Sequence, residues 1–407
     1  MGEKSVQDYA IRDASQISNS KKIVLGLQHT FTMFGATVLV PIITGLNISV
    51  ALLMAGVGTL LFHLITKGKI PVFLGSSFAF IVPILSVVEV ADLAHAQGGI
   101  VVAGLIYLIL AVLVQIFGVE KIIKFFPPVV TGPIIMVIGL KLAPNAIDMA
   151  KGNWGLAIVS FIVVTGICIY AKGFLKIIPV MIGLIVGYII AVITGNVDFT
   201  PIIEAKWFGF PEFTIAKFKF DTVMIVAPVA FATMVEHMGD VLAIGATVEK
   251  DFMKDPGLHK TLIGDGIATS LSAMFGGPAN TTYSENTGVL ALTKVFDPLI
   301  MRIAACFAIL IGLIPKLSAI ISTIPTSVVG GISIILFGMI ASIGARTLVE
   351  HKVDFTLSRN LIISAVILVL GLGGAVLPIK LGALNFSIEG MALAAIVGII
   401  LNKILPE

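Results

Sequence analysis

Charged side chains are scarce in this sequence: Asp, Glu, Lys and Arg make up 12% of its 407 residues, where a soluble domain carries roughly 25%. That shortage excludes an ordinary water-facing surface. A net charge of only +3 is small and says nothing useful about nucleic acid; what matters is where the charges fall. The two cysteines, Cys168 and Cys306, both lie inside apolar runs, which excludes a disulfide framework or a thiolate metal site. The first 20 residues, "MGEKSVQDYAIRDASQISNS", have no apolar core, so no cleavable signal peptide is expected. No nucleophile–base pair, metal-ligand set or phosphate loop stands out. The expectation is therefore a protein that is not an enzyme and needs no cofactor or metal.

Apolar residues are what the chain has in abundance, at 57% with a mean hydropathy of +1.09. Runs of about 20 of them recur along the whole length, the length that crosses a bilayer as a helix. The expected fold is an all-α polytopic membrane protein. Fourteen transmembrane segments are placed, within a few residues, at about 22–45, 48–66, 70–87, 97–117, 123–143, 153–171, 177–195, 222–245, 258–276, 279–295, 297–315, 318–343, 358–376 and 387–404.

An even count puts both termini on one side, and the basic residues test it. Of the 26 Lys and Arg, only Lys141, Lys151, Lys206, Lys217, Lys219, Lys316 and Lys380 fall outside when the N-terminus is inside. Arg302 sits within a span, near enough to its end to snorkel, and the other 18 fall inside. That asymmetry is the positive-inside pattern and predicts that both termini are cytoplasmic.

Two spans read poorly as helices. The third carries "PVFLGSSFAFIVP" and the tenth "GGPANTTYSENTG", each mixing Gly, Pro, Ser or Thr in a way that breaks a helix. Both begin at matching places in the two halves of seven. Because seven is odd, the halves run in opposite directions, a 7+7 inverted repeat with short strands breaking spans 3 and 10. Paired broken helices point to a midplane site in secondary transporters, since irregular backbone at that depth survives only where protein or a wet cavity satisfies it. The plainer reading is two kinked helices.

Few ionisable groups lie inside spans, and each is a functional candidate because a central charge costs about 2.5–3.5 kcal/mol on insertion scales. Glu236 and Asp240 in "ATMVEHMGDVLAIG" are four apart and share a helix face, while His237 points about 100° away. Two carboxylates on one face do not pair with each other, which suits binding a neutral solute together with a proton. The alternative for His237 is a satisfied packing residue. Glu285, just past the second break, follows Ser284 at a half-helix start where N–H donors are free. Ser76, Ser77 and Phe78 offer a similar arrangement at the first break. Phe78, Phe80, Tyr283 and Phe337 supply candidate aromatic walls, a setting for a flat neutral heterocycle with alternating N–H and C=O groups. Gln28 and His29 in span 1 are candidate supports, or simple interhelix hydrogen bonders.

The run "ENTGVLALTK", from Glu285 to Lys294, resembles the signature of the nucleobase–ascorbate transporter family. "LQHTFTMFGATVLVP", "GKIPVFLGSSFAFI", "VEHMGD" and "DPGLHKTLIGDG" join it, so the resemblance covers nearly the whole chain beyond residue 20. It lies nearest the family's bacterial uracil:proton symporter branch, which implies a place in a bacterial cytoplasmic membrane. The resemblance implies a core of spans 1–4 and 8–11 and a gate of spans 5–7 and 12–14. On this chain that means a cytoplasmic tail at 1–20, core at 21–118 and 221–316, and gate at 119–220 and 317–407. It implies proton-coupled uptake of uracil or a close pyrimidine, with no nucleic-acid partner, the lipid bilayer as surroundings and a homodimer as one form of assembly. Xanthine or another purine is the rival substrate, and an anion exchanger or channel on the same fold is the rival of another class.

By position, Glu236 and Glu285 resemble the carboxylates that hold the pyrimidine. Phe78 and Ser284 resemble the residues donating backbone N–H groups, and Tyr283 the tyrosine beside them linked to proton coupling. Asn286 belongs to the signature itself. Asp240 stands where the best-known relative has His, Ser284 where it has Gly and Phe337 where it has Tyr. Asp240, Glu236 and His237 are thus the candidate proton carriers, with Na+ as the alternative coupling ion.

Overall fold

A computed structural model describes residues 10–283, 285–381 and 384–406. The described chain is mostly helical. Helices α1 (Asn19–Thr44) and α2 (Ile48–Ile65) are followed by strand β1 (Leu74–Ser76), a 3-10 turn at Phe78–Phe80, α3 (Ile81–Val90) and α4 (Leu93–Phe117). Next come the short α5 (Val119–Ile123), α6 (Pro128–Lys141), α7 (Ala143–Lys151), α8 (Trp154–Tyr170), α9 (Pro179–Ile193) and α10 (Thr200–Glu204). The second half runs through α11 (Phe220–Val226), α12 (Ala230–Val248), α13 (Leu258–Met274), strand β2 (Asn280–Thr282), α14 (Glu285–Thr293) and α15 (Leu299–Gly312). It ends with α16 (Pro315–Ser322), α17 (Thr326–Glu350), α18 (Ser358–Leu372), strands β3 (Val376–Leu381) and β4 (Leu384–Glu389), and α19 (Gly390–Ile404).

Six of these segments are long and apolar enough to cross a bilayer unaided, or seven if α15 and α16, bent by 80°, count as one. Five shorter apolar helices accompany them. Their outward side chains are apolar: Ile109, Ile162, Ile189 and Val369 are all more than half exposed. In water such a surface would be a liability; in hydrocarbon it is the expected one. The chain is an integral membrane protein.

Helix packing divides into two sets. In one, α1, α2, α4, α13 and α15 contact each other; in the other, α6, α7, α8, α9, α17, α18 and α19 do so. Lipid tails give no hydrophobic drive for helix association, so close approach through small residues does the work. A side chain at Gly104 of α4 would meet the Gly266 carbonyl of α13 at 2.5 Å, and one at Gly266 would meet the Gly104 carbonyl at 2.6 Å. Gly132 of α6 and Gly344 of α17 exclude side chains from each other in the same reciprocal way.

Two features depart from expectation. The twelfth span, expected at 318–343, instead starts at Thr326 and is preceded by the separate helix α16. Pro315 starts that helix and Pro325 flanks the next, so two prolines re-aim the chain inside one continuous apolar run. Second, the connection into the last span is a hairpin in which β3 pairs antiparallel with β4, from Val376↔Glu389 to Leu381↔Leu384. An all-α reading did not include it.

The two expected breaks do pair. β1 and β2 form an antiparallel ribbon with Leu74 opposite Thr282, Gly75 opposite Thr281 and Ser76 opposite Asn280.

Candidate functional site

A three-residue strand deep in a membrane protein leaves its outer edges without partners, and each unsatisfied group there costs several kcal/mol. Side chains from the surrounding helices supply them. The Leu74 N–H donates to Thr59 Oγ1 of α2 at 2.9 Å. Ser76 Oγ donates to the Thr37 carbonyl of α1 at 2.9 Å. Thr269 Oγ1 of α13 donates to the Asn280 carbonyl at 2.6 Å, and Asn280 Nδ2 donates to the Met54 carbonyl of α2 at 2.7 Å. The ribbon is thereby fixed to three helices at once.

Its ends define the site. The Ser77 N–H donates to the Ala279 carbonyl at 2.9 Å and the Tyr283 N–H to the Phe73 carbonyl at 3.0 Å. Antiparallel pairing then makes the two half-helices, at Phe78 and at Glu285, leave from opposite ends of a three-residue ladder. That separation is roughly 10 Å, and each half-helix begins with N–H groups that have no intrahelical acceptor. Ser284 lies outside the described residues.

Helix α12 packs against both β2 and α14 and carries Glu236. The Glu236 carboxylate lies within electrostatic reach of Glu285 and of Asp265 on α13. Asp240, one turn further on, lies within reach of Tyr107 on α4, as do Glu236 and Asp265. Five acidic and phenolic groups from α4, α12, α13 and α14 thus share one region. Around it, the Phe78 and Phe337 rings meet edge to face, with centroids 6.1 Å apart, joining the first break to α17. Phe80 is fully buried in the core.

Tyr283 turns toward the ribbon. Its hydroxyl donates to the Ser76 carbonyl at 2.9 Å, and its ring covers Gly75, where any side chain would strike it and would also meet Thr37 Oγ1 at 2.9 Å. Glycine is needed at 75 for this approach.

His237 points away from Glu236, as helical geometry requires, into a fully buried network. Its Nδ1 lies 2.7 Å from Thr282 Oγ1 and 3.1 Å from Asp265 Oδ2, and its Nε2 lies 2.9 Å from Thr261 Oγ1. Thr282 Oγ1 donates in turn to Asp265 Oδ1 at 3.2 Å. The imidazole therefore ties α12 to α13 and to β2. Sequence reasoning singled out neither Asp265 nor Thr282 as site residues. The signal available was the motif "LIGDG", an acid placed between glycines inside an apolar span.

The supporting pair His29 and Asn286 is also brought together. Asn286 Nδ2 lies 3.3 Å from His29 Nδ1 and donates to the His29 carbonyl at 3.4 Å, so α1 anchors the first turn of α14. Among the described residues, the buried atoms Gln28 Oε1, Ser77 Oγ and Asn286 Oδ1 have no hydrogen-bond partner. No group of three or more metal-ligating side chains occurs among the described residues.

A helical membrane bundle with two discontinuous helices, half-helix ends and a carboxylate pair around one ribbon points to a binding site within the bundle. Residues 20–380 match the xanthine–uracil permease model, described as "Permease family". The chain belongs to that family and is a membrane permease rather than an enzyme. Among its relatives, it is 46% identical over 399 residues to the probable uracil permease of Pasteurella multocida, covering 96% of this chain and 95% of that one. It is 46% identical over 404 residues to the uracil permease of Bacillus subtilis, covering 95% and 92%. Among solved structures, the transmembrane domain of the cyanobacterial bicarbonate transporter BicA superposes with a TM-score of 0.64. It is 16% identical and covers 94% of this chain and 96% of that one. At that identity the likeness concerns fold alone.

Proposed function

We propose that this permease is a proton-coupled importer of uracil or a close pyrimidine. The observation that carries the reading is the meeting of Glu236, Glu285 and two half-helix N-termini around one short ribbon. The carboxylates accept the N–H groups of a neutral base. The backbone N–H groups at Phe78 and Ser284 donate to its carbonyls, and the edge-to-face pair Phe78 and Phe337 lines one side of it. Relatives at 46% identity that carry the name uracil permease support the same substrate. Two carboxylates repel an anion, which weighs against an exchanger of anions despite the shared fold.

In this reading the chain crosses the membrane fourteen times as a 7+7 inverted repeat with both termini cytoplasmic. The two packed helix sets are the core, which carries the site with α3, α11, α12, β1, β2 and α14, and the gate. Their relative movement exposes the site to each side in turn. Proton loading at Asp240 or a glutamate accompanies occupancy; His237 acts indirectly, by holding Asp265 and Thr282.

Uptake of labelled uracil into proteoliposomes tests this. With one proton carried per base, a gradient of one pH unit supplies about 1.4 kcal/mol and supports about tenfold accumulation. Excess unlabelled uracil should abolish the signal, and xanthine should compete weakly. Uptake that follows a Na+ gradient instead would reassign the coupling ion; stronger competition by xanthine would reassign the substrate. Chloride or sulfate flux without base uptake would overturn the reading.

A further inference from the structure

Away from the ribbon, a cleft of about 1250 Å³ opens between α4 and α12 on one side and α5, the start of α18 and α19 on the other. Small-molecule sites run to about 300–1,000 Å³, so this volume suits something larger. Its two ends differ in chemistry. One wall is apolar: Ile106, Leu110, Leu113 and Phe117 of α4 face Phe231 and Met234 of α12. The other end is basic, with Lys121, Lys124, Arg359 and Lys403, and among the described residues no acidic side chain lines the cleft.

The basic end is built rather than loose. Arg359 Nη2 donates to the Asn402 carbonyl at 2.7 Å and to Asn402 Oδ1 at 2.8 Å, and Asn402 Nδ2 donates to the Lys124 carbonyl at 3.1 Å. Lys403 Nζ lies 5.8 Å from the centre of the Phe125 ring. Among the described residues none of these four cations makes an ion pair. Glu120, beside Lys121, is not part of the lining, because adjacent helical residues point about 100° apart.

Scale and exposure select the occupant. From Ile106 to Phe117, α4 rises about 16 Å, close to half of the roughly 30 Å hydrocarbon core of a bilayer. Ile109, Leu113 and Phe117, along the same wall, are 61%, 38% and 53% exposed, so the cleft is open on the lipid side. An occupant with one leaflet's length of hydrocarbon and an anionic head matches both halves. Basic pockets between membrane helices have that preference. We propose that this cleft is a binding site for an anionic phospholipid, its phosphate held by Lys121, Lys124 and Lys403 and one acyl chain lying along α4 against Phe231 and Met234. Since α12 also bears Glu236, the lipid would sit against the helix that carries the substrate carboxylate.

Native mass spectrometry of the full chain, offered equal phosphatidylglycerol and phosphatidylcholine, tests the site. The expected result is retention of phosphatidylglycerol by about tenfold or more over phosphatidylcholine. The triple variant K121Q/K124Q/K403Q should lose that preference, while K151Q/K206Q, altered at other exposed lysines, should keep it. No preference in the unaltered chain, or an unchanged preference in the triple variant, would overturn the proposal. A lipid-free dimer in its place would assign the cleft to a second copy and overturn it equally. A Leu113→Trp variant gives a reading independent of the lysine changes. Brominated phosphatidylglycerol should quench that tryptophan more than brominated phosphatidylcholine at equal mole fraction, and equal quenching contradicts the site.

Discussion

Tyr283 and Ser76 are joined across the two broken spans: the phenol hydroxyl donates to the Ser76 carbonyl at 2.9 Å, while the strands beside them pair in antiparallel register. One side chain thus locks together two segments more than 200 residues apart. Tyr283→Phe removes the bond but keeps the ring over Gly75. It leaves a buried carbonyl without its donor, which costs about 1–3 kcal/mol. Thermal unfolding in detergent should show the loss, and uracil affinity should fall several-fold. An unchanged melting temperature with unchanged affinity would mean the bond is not holding the ribbon.

Gly75→Ala tests the same contact by crowding. The added methyl meets the Tyr283 ring and Thr37 Oγ1, and overpacking of this kind costs roughly 1–3 kcal/mol. Uptake should drop sharply at normal expression. Full activity would show that the ribbon can shift to admit a side chain.

The breaks themselves were legible, because "GSS" and "NTT" set helix-breaking residues inside apolar spans. Their register was not. A three-residue strand has too few positions to show a period of two, and its partner lies in the other half of the chain. The hairpin of β3 and β4 escaped for a related reason: Pro378 sits within β3, and proline demotes a strand assignment. Of the site, Glu236, Glu285, His29 and Asn286 stood out in the sequence. Asp265 was not singled out, and its pairing with His237 depends on how α12 and α13 are rotated against each other, of which hydropathy carries no record.

His237 and Asp265 supply the next test. Asp265→Asn keeps the size but removes the carboxylate facing His237 Nδ1 and Thr282 Oγ1. The variant should be less stable by about 1–3 kcal/mol, with weaker uptake through displacement of β2. Substituting Thr261→Val takes away only the Nε2 partner and should cost less, about 1 kcal/mol. Equal stability of both variants and the parent, measured by denaturation, would remove the network from the account.

His29 and Asn286 should behave as a coupled pair. Each single change to Ala breaks the contact between α1 and α14, so the double variant should be milder than the sum of the two. An interaction energy of about 0.5–3 kcal/mol is expected for residues in direct contact. Additive effects within error would show that the contact carries no energy.

The account rests most heavily on two carboxylates holding one neutral base. Calorimetric binding of uracil to the purified permease, compared among the parent, Glu236→Gln and Glu285→Gln, addresses this directly. Each substitution preserves shape while turning an acceptor pair into a mixed donor and acceptor. Loss of measurable binding in both variants, with melting temperatures near the parent's, is the result expected. Parent-like affinity in both would contradict the assignment of these residues to the substrate.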